Sequence, residues 1–185
     1  MNQVRKEFIS SYEFNVLNEL PSNNIKRYYF PDNENGKDGI ILSLISSDHK
    51  EWVGIFGFGN LSNKSVTGVY SCPNKDYICV ISKGNGYYVN VNKPDSWEAI
   101  KLLPIIDVRI HKDKNVIYFS SLTEICAYNE NGLLWTTKRI SWDDLKIIEI
   151  NEGKIIGEYF DIRNDDNVRF EVDLDTGIIK GGIEE

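Results

Sequence analysis

The sequence predicts an all-β, antiparallel protein of about four propeller-like or meander sheet units that repeat roughly every 39 residues. Strand-like apolar runs begin at Ile40, Ile78, Val116 and Ile155, at intervals of 38, 38 and 39 residues, a period typical of repeated sheet units. The apolar residues are mostly Ile, Val, Tyr, Phe and Trp, which favour strands. Frequent Asn, Asp and Gly residues indicate tight turns between those strands.

The chain divides in sequence into a lead segment, 1–38, and four repeats, 39–185, which we interpret as one domain because 185 residues suit a single core. The lead segment mixes alternation with helical spacing and offers a strand at 25–30. The repeats offer strands at 40–45, 52–58 and 66–71, then at 77–82, 87–91, 97–103 and 106–110, then at 116–120, 124–128, 133–137 and 145–150, and finally at 154–160, 168–174 and 178–180.

The fourth repeat lacks a fourth strand, so we expect an N-terminal strand to close the array and cover the unpaired edge. A twisted meander or a sandwich with coincidental periodicity is the alternative. Asn-Gly pairs at 35–36, 85–86 and 131–132 are predicted to form type I′ hairpin turns, and residues 175–177, Asp-Thr-Gly, a longer hairpin loop.

Charge excludes some classes of partner. The net charge is −7, and residues 141–185 hold 13 acids and 5 bases. An acidic surface repels phosphate backbones and anionic lipids, so we expect neither nucleic-acid nor membrane binding, whereas a basic protein would be attracted. Simple solubility also explains moderate charge. The odd set Cys72, Cys79 and Cys126, with no Cys-x-x-Cys pair and no signal-peptide pattern before it, predicts reduced thiols in a cytoplasmic protein.

We expect no catalytic, metal or cofactor site, since each candidate motif has a plainer interpretation. Glycines 54, 57 and 59 precede no helix, so a turn or bulge is favoured over a phosphate loop. The polar stretches 32–38 and 163–167 lack the spacing of a calcium loop and suggest turns. His49 and His111 adjoin no motif, although a catalytic triad that assembles only in space would escape detection.

The densest cluster of binding-type residues is 134–144, where Trp135 and Trp142 flank a basic pair and precede Asp143 and Asp144. Trp and Arg are the anchor types of protein interfaces. Trp142 is either an exposed anchor or a core plug with its indole N–H on a backbone carbonyl, and the plug is the favoured interpretation.

The C-terminal quarter resembles the end of a group of small uncharacterised bacterial proteins with propeller-like repeats. The residues that carry the resemblance are Trp135, 139–143 (Arg-Ile-Ser-Trp-Asp), Gly157, Asp161, 170–177 (Phe-Glu-Val-Asp-Leu-Asp-Thr-Gly) and the pair Gly181 and Gly182. The resemblance implies an all-β bacterial protein and transfers no functional residue. In size and acidity the chain is also similar to immunity proteins that neutralise secreted toxins.

The sequence therefore favours a non-catalytic, protein-binding module, an immunity-like inhibitor or an adaptor. Its acidic surface would meet a basic partner through Trp142, Asp143, Asp144, Asp161, Asp165 and Asp166. The alternative is a small-ligand or carbohydrate-binding module whose cleft is lined by Tyr87, Tyr88, Trp97 and Trp135. A hydrolase would require a histidine beside Ser or Asp in a pocket.

Overall fold

The computed structural model describes residues 3–31, 38–59, 62–151 and 153–183, and every regular element in these ranges is a strand. The all-β prediction is therefore confirmed. The chain divides into two compact units, Met1–Pro104 and Ile105–Glu185, which we describe separately. In the ranges given above, no helix has the length and apolarity needed to span a bilayer.

The first unit contains nine of the described strands. They are β1 (Gln3–Arg5), β2 (Glu13–Leu17), β3 (Lys26–Phe30), β4 (Gly39–Ile45), β5 (Glu51–Gly57), β6 (Gly68–Ser71), β7 (Tyr77–Ser82), β8 (Asn85–Asn90) and β9 (Trp97–Ile100). The second unit contains the other eight. They are β10 (Asp107–His111), β11 (Val116–Ser120), β12 (Ile125–Asn129), β13 (Gly132–Thr136), β14 (Lys146–Ile150), β15 (Lys154–Asp161), β16 (Asp166–Asp173) and β17 (Ile179–Gly181).

Sheet 1 has the strand order β2-β4-β5-β3 and is built around the β4–β5 hairpin. β2 pairs antiparallel with β4, whereas β3 pairs parallel with β5, which places Phe30 opposite Phe56. Their rings stack at 4.7 Å. Strand β4 alternates buried and half-buried residues, as a strand with one core-facing side should. The lead segment is thus part of the first sheets rather than separate from them.

Sheet 2 has the strand order β1-β6-β7-β8-β9, with β1 parallel to β6 and the remaining pairs antiparallel. Its inward side chains share one hydrophobic core with sheet 1. Side-chain hydrogen bonds also join the two sheets. The Tyr87 hydroxyl donates to the Gly57 carbonyl at 2.8 Å, and the Trp52 indole Nε1 donates to the Val91 carbonyl at 3.0 Å.

Sheets 3 and 4 make up the second unit, and both are four-stranded antiparallel meanders, β10-β11-β12-β13 and β14-β15-β16-β17. They enclose a core of their own. The Trp135 indole Nε1 donates to the Leu174 carbonyl at 3.0 Å, and Arg109 donates to the Ile147 carbonyl at 3.1 Å. The hydrogen bonds of Trp52 and Trp135 each connect residues 39 positions apart, the interval of the sequence repeat.

The repeat is confirmed, but its predicted starting point is one strand late. The runs from Ile40, Ile78, Val116 and Ile155 correspond to β4, β7, β11 and β15. In sheets 2 to 4, the strand that comes just before β7, β11 or β15 in the chain pairs with it and does not belong to the previous unit. Strands β6, β10 and β14 therefore begin sheets 2, 3 and 4. Sheet 4 needs no borrowed strand, because Lys146–Ile150 belongs to it.

The predicted closure of the last sheet by an N-terminal strand is wrong for the residues described. Strand β1 extends sheet 2, and β2 and β3 form the two sides of sheet 1. The physical reason is that Lys146–Ile150 pairs with β15. This strand takes the place in sheet 4 that the sequence interpretation had assigned to an N-terminal strand.

The prediction of type I′ turns at the Asn-Gly pairs is wrong for 85–86 and 131–132, because neither pair supplies two left-handed residues. Between β7 and β8 the two left-handed residues are Lys83 (φ 46°) and Gly84 (φ 83°), so Asn85 and Gly86 begin the strand rather than form the turn. Gly132 has φ 100° and follows its turn, as in a turn with a bulge. Residues 175–177 form the expected longer loop, with Gly177 at φ 70°. The Asn-Gly pair at 35–36 lies outside the described residues.

Replacing Tyr118 by Phe is expected to stabilise the protein by about 1 kcal/mol, because the buried Tyr118 hydroxyl has no hydrogen-bond partner among the described residues. Burial, and next the charge of Asp175, raise the pKa of Tyr118 above its ordinary 10.0. Tyr118 therefore ionises at a lower pH in the unfolded chain than in the folded protein. As a result, the ionisation of this group leaves the free energy of unfolding unaffected below pH 10 and lowers it as the pH rises beyond that value.

Urea unfolding at neutral pH and above pH 10 checks the Tyr118→Phe variant. The alkaline loss of stability should become shallower in the variant. Equal or lower stability of Tyr118→Phe at neutral pH would show that the hydroxyl is satisfied after all.

Candidate functional site

The sequence cluster at 134–144 spans the end of β13 and most of the loop between sheets 3 and 4, and this loop is fixed against sheet 3 by hydrogen bonds. The Ile140 amide donates to the Thr123 carbonyl at 2.8 Å, and the Ser141 hydroxyl donates to the Leu122 carbonyl at 2.8 Å. Ile140 and Ser141 are fully buried. This anchoring leaves the next side chain, Trp142, pointing outward on a rigid backbone.

Trp142 is 41% exposed, so the favoured prediction of a core plug is wrong and the exposed alternative holds. Two guanidinium groups lie over its ring, with Arg139 Cζ at 4.9 Å and Arg163 Cζ at 5.3 Å from the ring centroid. Arg139 also donates to the carbonyls of Ser141 (3.0 Å) and Trp142 (3.1 Å). The plug role belongs instead to Trp135, whose N–H is bonded to a backbone carbonyl.

The end of the β15–β16 hairpin, which reaches Trp142 through Arg163, carries two further exposed apolar side chains. Phe160 is 40% and Ile162 73% exposed, and the next residue, Arg163, contacts Trp142. We define the Trp142 surface as Trp142, Arg139, Phe160, Ile162 and Arg163. Sequence reasoning missed the last three. Ile162 gave the one available signal, an apolar residue at the start of an otherwise polar turn.

The predicted acids do not share one role. Asp161 is 8% exposed, and its two carboxylate oxygens accept hydrogen bonds from the Arg163 amide (2.9 Å) and the Asn164 side-chain amide (2.6 Å). Asp161 therefore stabilises the hairpin turn, and the prediction that it belongs to a binding surface is wrong. Asp165 and Asp166 are exposed at that same turn.

The two acids that follow Trp142 differ in exposure. Asp143 is exposed, and its Oδ1 accepts a hydrogen bond from the Asp144 amide at 2.7 Å. Asp144 is half-buried, adopts φ 58° and forms an ion pair with Lys146 at 3.0 Å. The acids available to a partner near the Trp142 surface are therefore Asp143, Asp165 and Asp166.

The aromatic cleft of the alternative prediction does not form from the residues proposed for it. Tyr87, Tyr88 and Trp135 are 2%, 3% and 8% exposed, so they are core side chains. Trp97 is half-buried and packs edge-on against Phe30 at 5.5 Å. Of the four predicted residues, Trp97 alone keeps a surface for a ligand.

The remaining motifs have structural roles in the parts of the chain described. Gly54 and Gly57 lie inside β5, and a Cβ at Gly54 would approach a Phe56 ring atom to 2.6 Å, so close packing requires this glycine. His49 is exposed in a turn at φ 61°, and the His111 Nδ1 accepts from the Lys114 amide at 3.4 Å.

Within the described ranges, the polar stretch 163–167 and the cysteines also show no ligand-binding arrangement. Residues 163–167 form the β15–β16 turn and its flank, whereas most of 32–38 lies outside the described residues. The described residues contain no group of three His, Cys, Asp or Glu side chains that could hold a metal ion. Cys72, Cys79 and Cys126 are buried and form no disulfide, and burial raises the pKa of Cys72.

Comparisons with protein-family models and with curated proteins give no match.

Proposed function

We propose that the protein is a non-catalytic binding module, an inhibitor or adaptor similar to immunity proteins, whose Trp142 surface contacts a basic protein partner. The observation that supports this most directly is the exposed Trp142 ring between two guanidinium groups on an anchored loop. Anchors of protein interfaces are typically Trp and Arg side chains in a rigid setting.

The Trp142 surface is already ordered in the free protein. Arg139 is fixed by its hydrogen bonds to two loop carbonyls, and the loop is fixed by its bonds to sheet 3. A partner would therefore lose less affinity to side-chain ordering than it would on a mobile loop. Trp142, Phe160 and Ile162 supply apolar area, and Arg139 and Arg163 frame it.

Charge favours a basic partner. Asp143, Asp165 and Asp166 are exposed beside the Trp142 surface, while the Arg139 guanidinium is already engaged with backbone carbonyls. Lysine or arginine side chains of a partner would pair with the free carboxylates while its apolar groups cover the indole. Such steering makes the association rate sensitive to salt.

We propose that this binding takes place in the cytoplasm. The support is chemical. The three cysteines are buried and form no disulfide in the structure, and cysteines without disulfides suit a reducing compartment.

Trp142→Ala is expected to weaken binding by at least about tenfold, because truncating an interface anchor commonly costs about 2 kcal/mol or more. The tagged full-length protein is used to capture partners from cells of its source, and the captured protein is then purified and titrated by calorimetry. Ile178→Ala is the matched control. Ile178 is 69% exposed in the β16–β17 turn, at the opposite end of sheet 4 from Trp142, and should have no effect.

A charge test accompanies it in the same titration. The triple variant Asp143→Asn, Asp165→Asn, Asp166→Asn keeps the side-chain oxygens that accept the Asp144 and Asn167 amides and removes three charges. It should bind more weakly and with a smaller salt dependence. The charge-matched control, Glu13→Gln, Glu98→Gln, Asp113→Asn, changes exposed acids elsewhere. Equal weakening by both triples, or none by the first, contradicts the proposal.

A further inference from the structure

A groove lies in the first unit between sheets 1 and 2 and shares no residue with the Trp142 surface. Its main part has a volume of about 530 Å³ and adjoins a smaller pocket of about 210 Å³, and the two share Tyr28, Pro94 and Asp95. We call this the Tyr28 groove. Its size is in the range of roughly 300–1,000 Å³ typical of small-molecule sites.

The floor of the Tyr28 groove is apolar and rigid. Trp52 is 4% exposed and Val91 is fully buried. The indole N–H of Trp52 already donates a hydrogen bond to the Val91 carbonyl at 3.0 Å. The half-buried Tyr28 ring stands edge-on to Trp52, with centroids 5.3 Å apart and planes at 76°. A ligand would meet a preformed aromatic corner, with little reorganisation required.

A second aromatic wall continues the groove. Trp97 is half-buried, borders the smaller pocket together with Tyr28, and is held edge-on to Phe30 at 5.5 Å. Pro94 and Asp95 lie between the two aromatic positions, in the β8–β9 connection. The groove thus offers two separate rings, since Tyr28 lines both pockets and Trp97 lines the smaller one.

The charges on the groove lining, taken together with the neighbouring Asp48, cancel. Lys26 Nζ lies 4.5 Å from the centroid of the Tyr28 ring, and hydrogen bonding to Tyr28 and the charge of Asp95 raise the pKa of Lys26. Lys50 Nζ lies 2.5 Å from the carboxylate of Asp48. The third lysine, Lys93, is balanced by Glu51 on the lining. The lining thus carries three ammonium groups and the two carboxylates of Glu51 and Asp95, and Asp48, which lies beside the lining, pairs with Lys50, so no net charge remains to attract an ion.

The rim also presents a neutral donor. Asn92 Oδ1 accepts from the Ser47 amide at 2.9 Å and the Ser47 hydroxyl at 3.0 Å, which fixes the orientation of the Asn92 amide. Its Nδ2 donates to no residue within the described ranges, so it is available to a ligand.

We propose that the Tyr28 groove binds a neutral oligosaccharide. Sugar hydroxyls both donate and accept, which suits a rim of alternating ammonium, carboxylate and amide groups, and the C–H face of a pyranose ring packs on aromatic side chains. The cancelled charge disfavours a phosphate or a uronic acid. The polar rim disfavours an acyl chain, since it would leave charged groups desolvated and unpaired.

The experiment uses the full-length protein on an array of neutral and uronic-acid oligosaccharides, followed by calorimetry with the neutral trisaccharides cellotriose, maltotriose and tri-N-acetylchitotriose. At least one neutral glycan should bind with an affinity that is unchanged between low and high salt. Tyr28→Ala and Trp97→Ala should each weaken that binding by about tenfold, because each removes a stacking surface. Tyr28→Phe should retain it.

Two further variants keep the test independent of folding and of the Trp142 surface. Asp95→Ala changes an exposed rim residue and should weaken glycan binding without altering the circular dichroism spectrum. Trp142→Ala should bind glycan like the wild type. Absence of neutral binding on the array, binding of acidic glycans alone with a salt-dependent affinity, or undiminished binding by folded Tyr28→Ala, Trp97→Ala and Asp95→Ala overturns the proposal.

Discussion

Trp135→Ala is expected to lower the free energy of unfolding by about 3–5 kcal/mol, the usual cost of truncating a buried aromatic side chain. Trp135 is 8% exposed, and its ring packs near Tyr118, with centroids 5.8 Å apart. The substitution also leaves the Leu174 carbonyl without the indole N–H. Urea unfolding monitored by circular dichroism measures the change. Trp135→Phe, which keeps a ring but removes the N–H, should show an intermediate loss.

The same substitution at Trp142 is the control, because it lies in the same unit and differs in burial. Trp142→Ala should cost less than about 1 kcal/mol, the value of exposed cation–π contacts. Similar losses at both positions would contradict the assignment of Trp135 to the core and Trp142 to the surface.

Gly157→Ala is expected to destabilise the protein by about 3 kcal/mol through overpacking. A Cβ at this buried position of β15 would lie 2.2 Å from a ring atom of Phe170 and 2.5 Å from the backbone carbonyl of Lys146. The ring could move only by disturbing the core, and the carbonyl is held in the β14–β15 pairing. Chemical denaturation of the purified variant gives the magnitude.

Gly153→Ala provides the comparison for Gly157→Ala, since a Cβ at Gly153 would meet no atom within 4 Å. Its stability should stay within about 0.5 kcal/mol of the wild type. A tolerated alanine at Gly157 would mean that Phe170 and β14 do not pack on this face as described.

The class of fold and the interval of its repeat could be predicted because strand-forming residues and turns recur regularly along the chain. The assignment of strands to sheets could not be read from that interval. Loop length carried the missing information. Residues 151–153 separate β14 from β15, whereas 137–145 separate β13 from β14, and short connections join antiparallel neighbours. Giving weight to this difference would have placed Lys146–Ile150 at the start of sheet 4.

The candidate site was predictable in part. The cluster at 134–144 contains the exposed Trp142 of the proposed surface, yet residue type alone does not decide which of two nearby tryptophans is buried. Trp135 is buried because it faces the Gly177 turn from a position in β13, and Trp142 is exposed because Ile140 and Ser141 anchor the loop. The contact with Arg163 arises only when the β15–β16 turn reaches this loop in space.

The connectivity of sheet 1 has a consequence for how the chain matures. Strands β2 and β3 are made first but occupy the flanks, and the central hairpin that they border, β4–β5, is made later. During synthesis β2 and β3 stay unpaired until β4 and β5 have been made, so the central strands are the last to join this sheet. A proteolytic cut that removed the first 31 residues would leave both sides of the hairpin open to pairing with other chains.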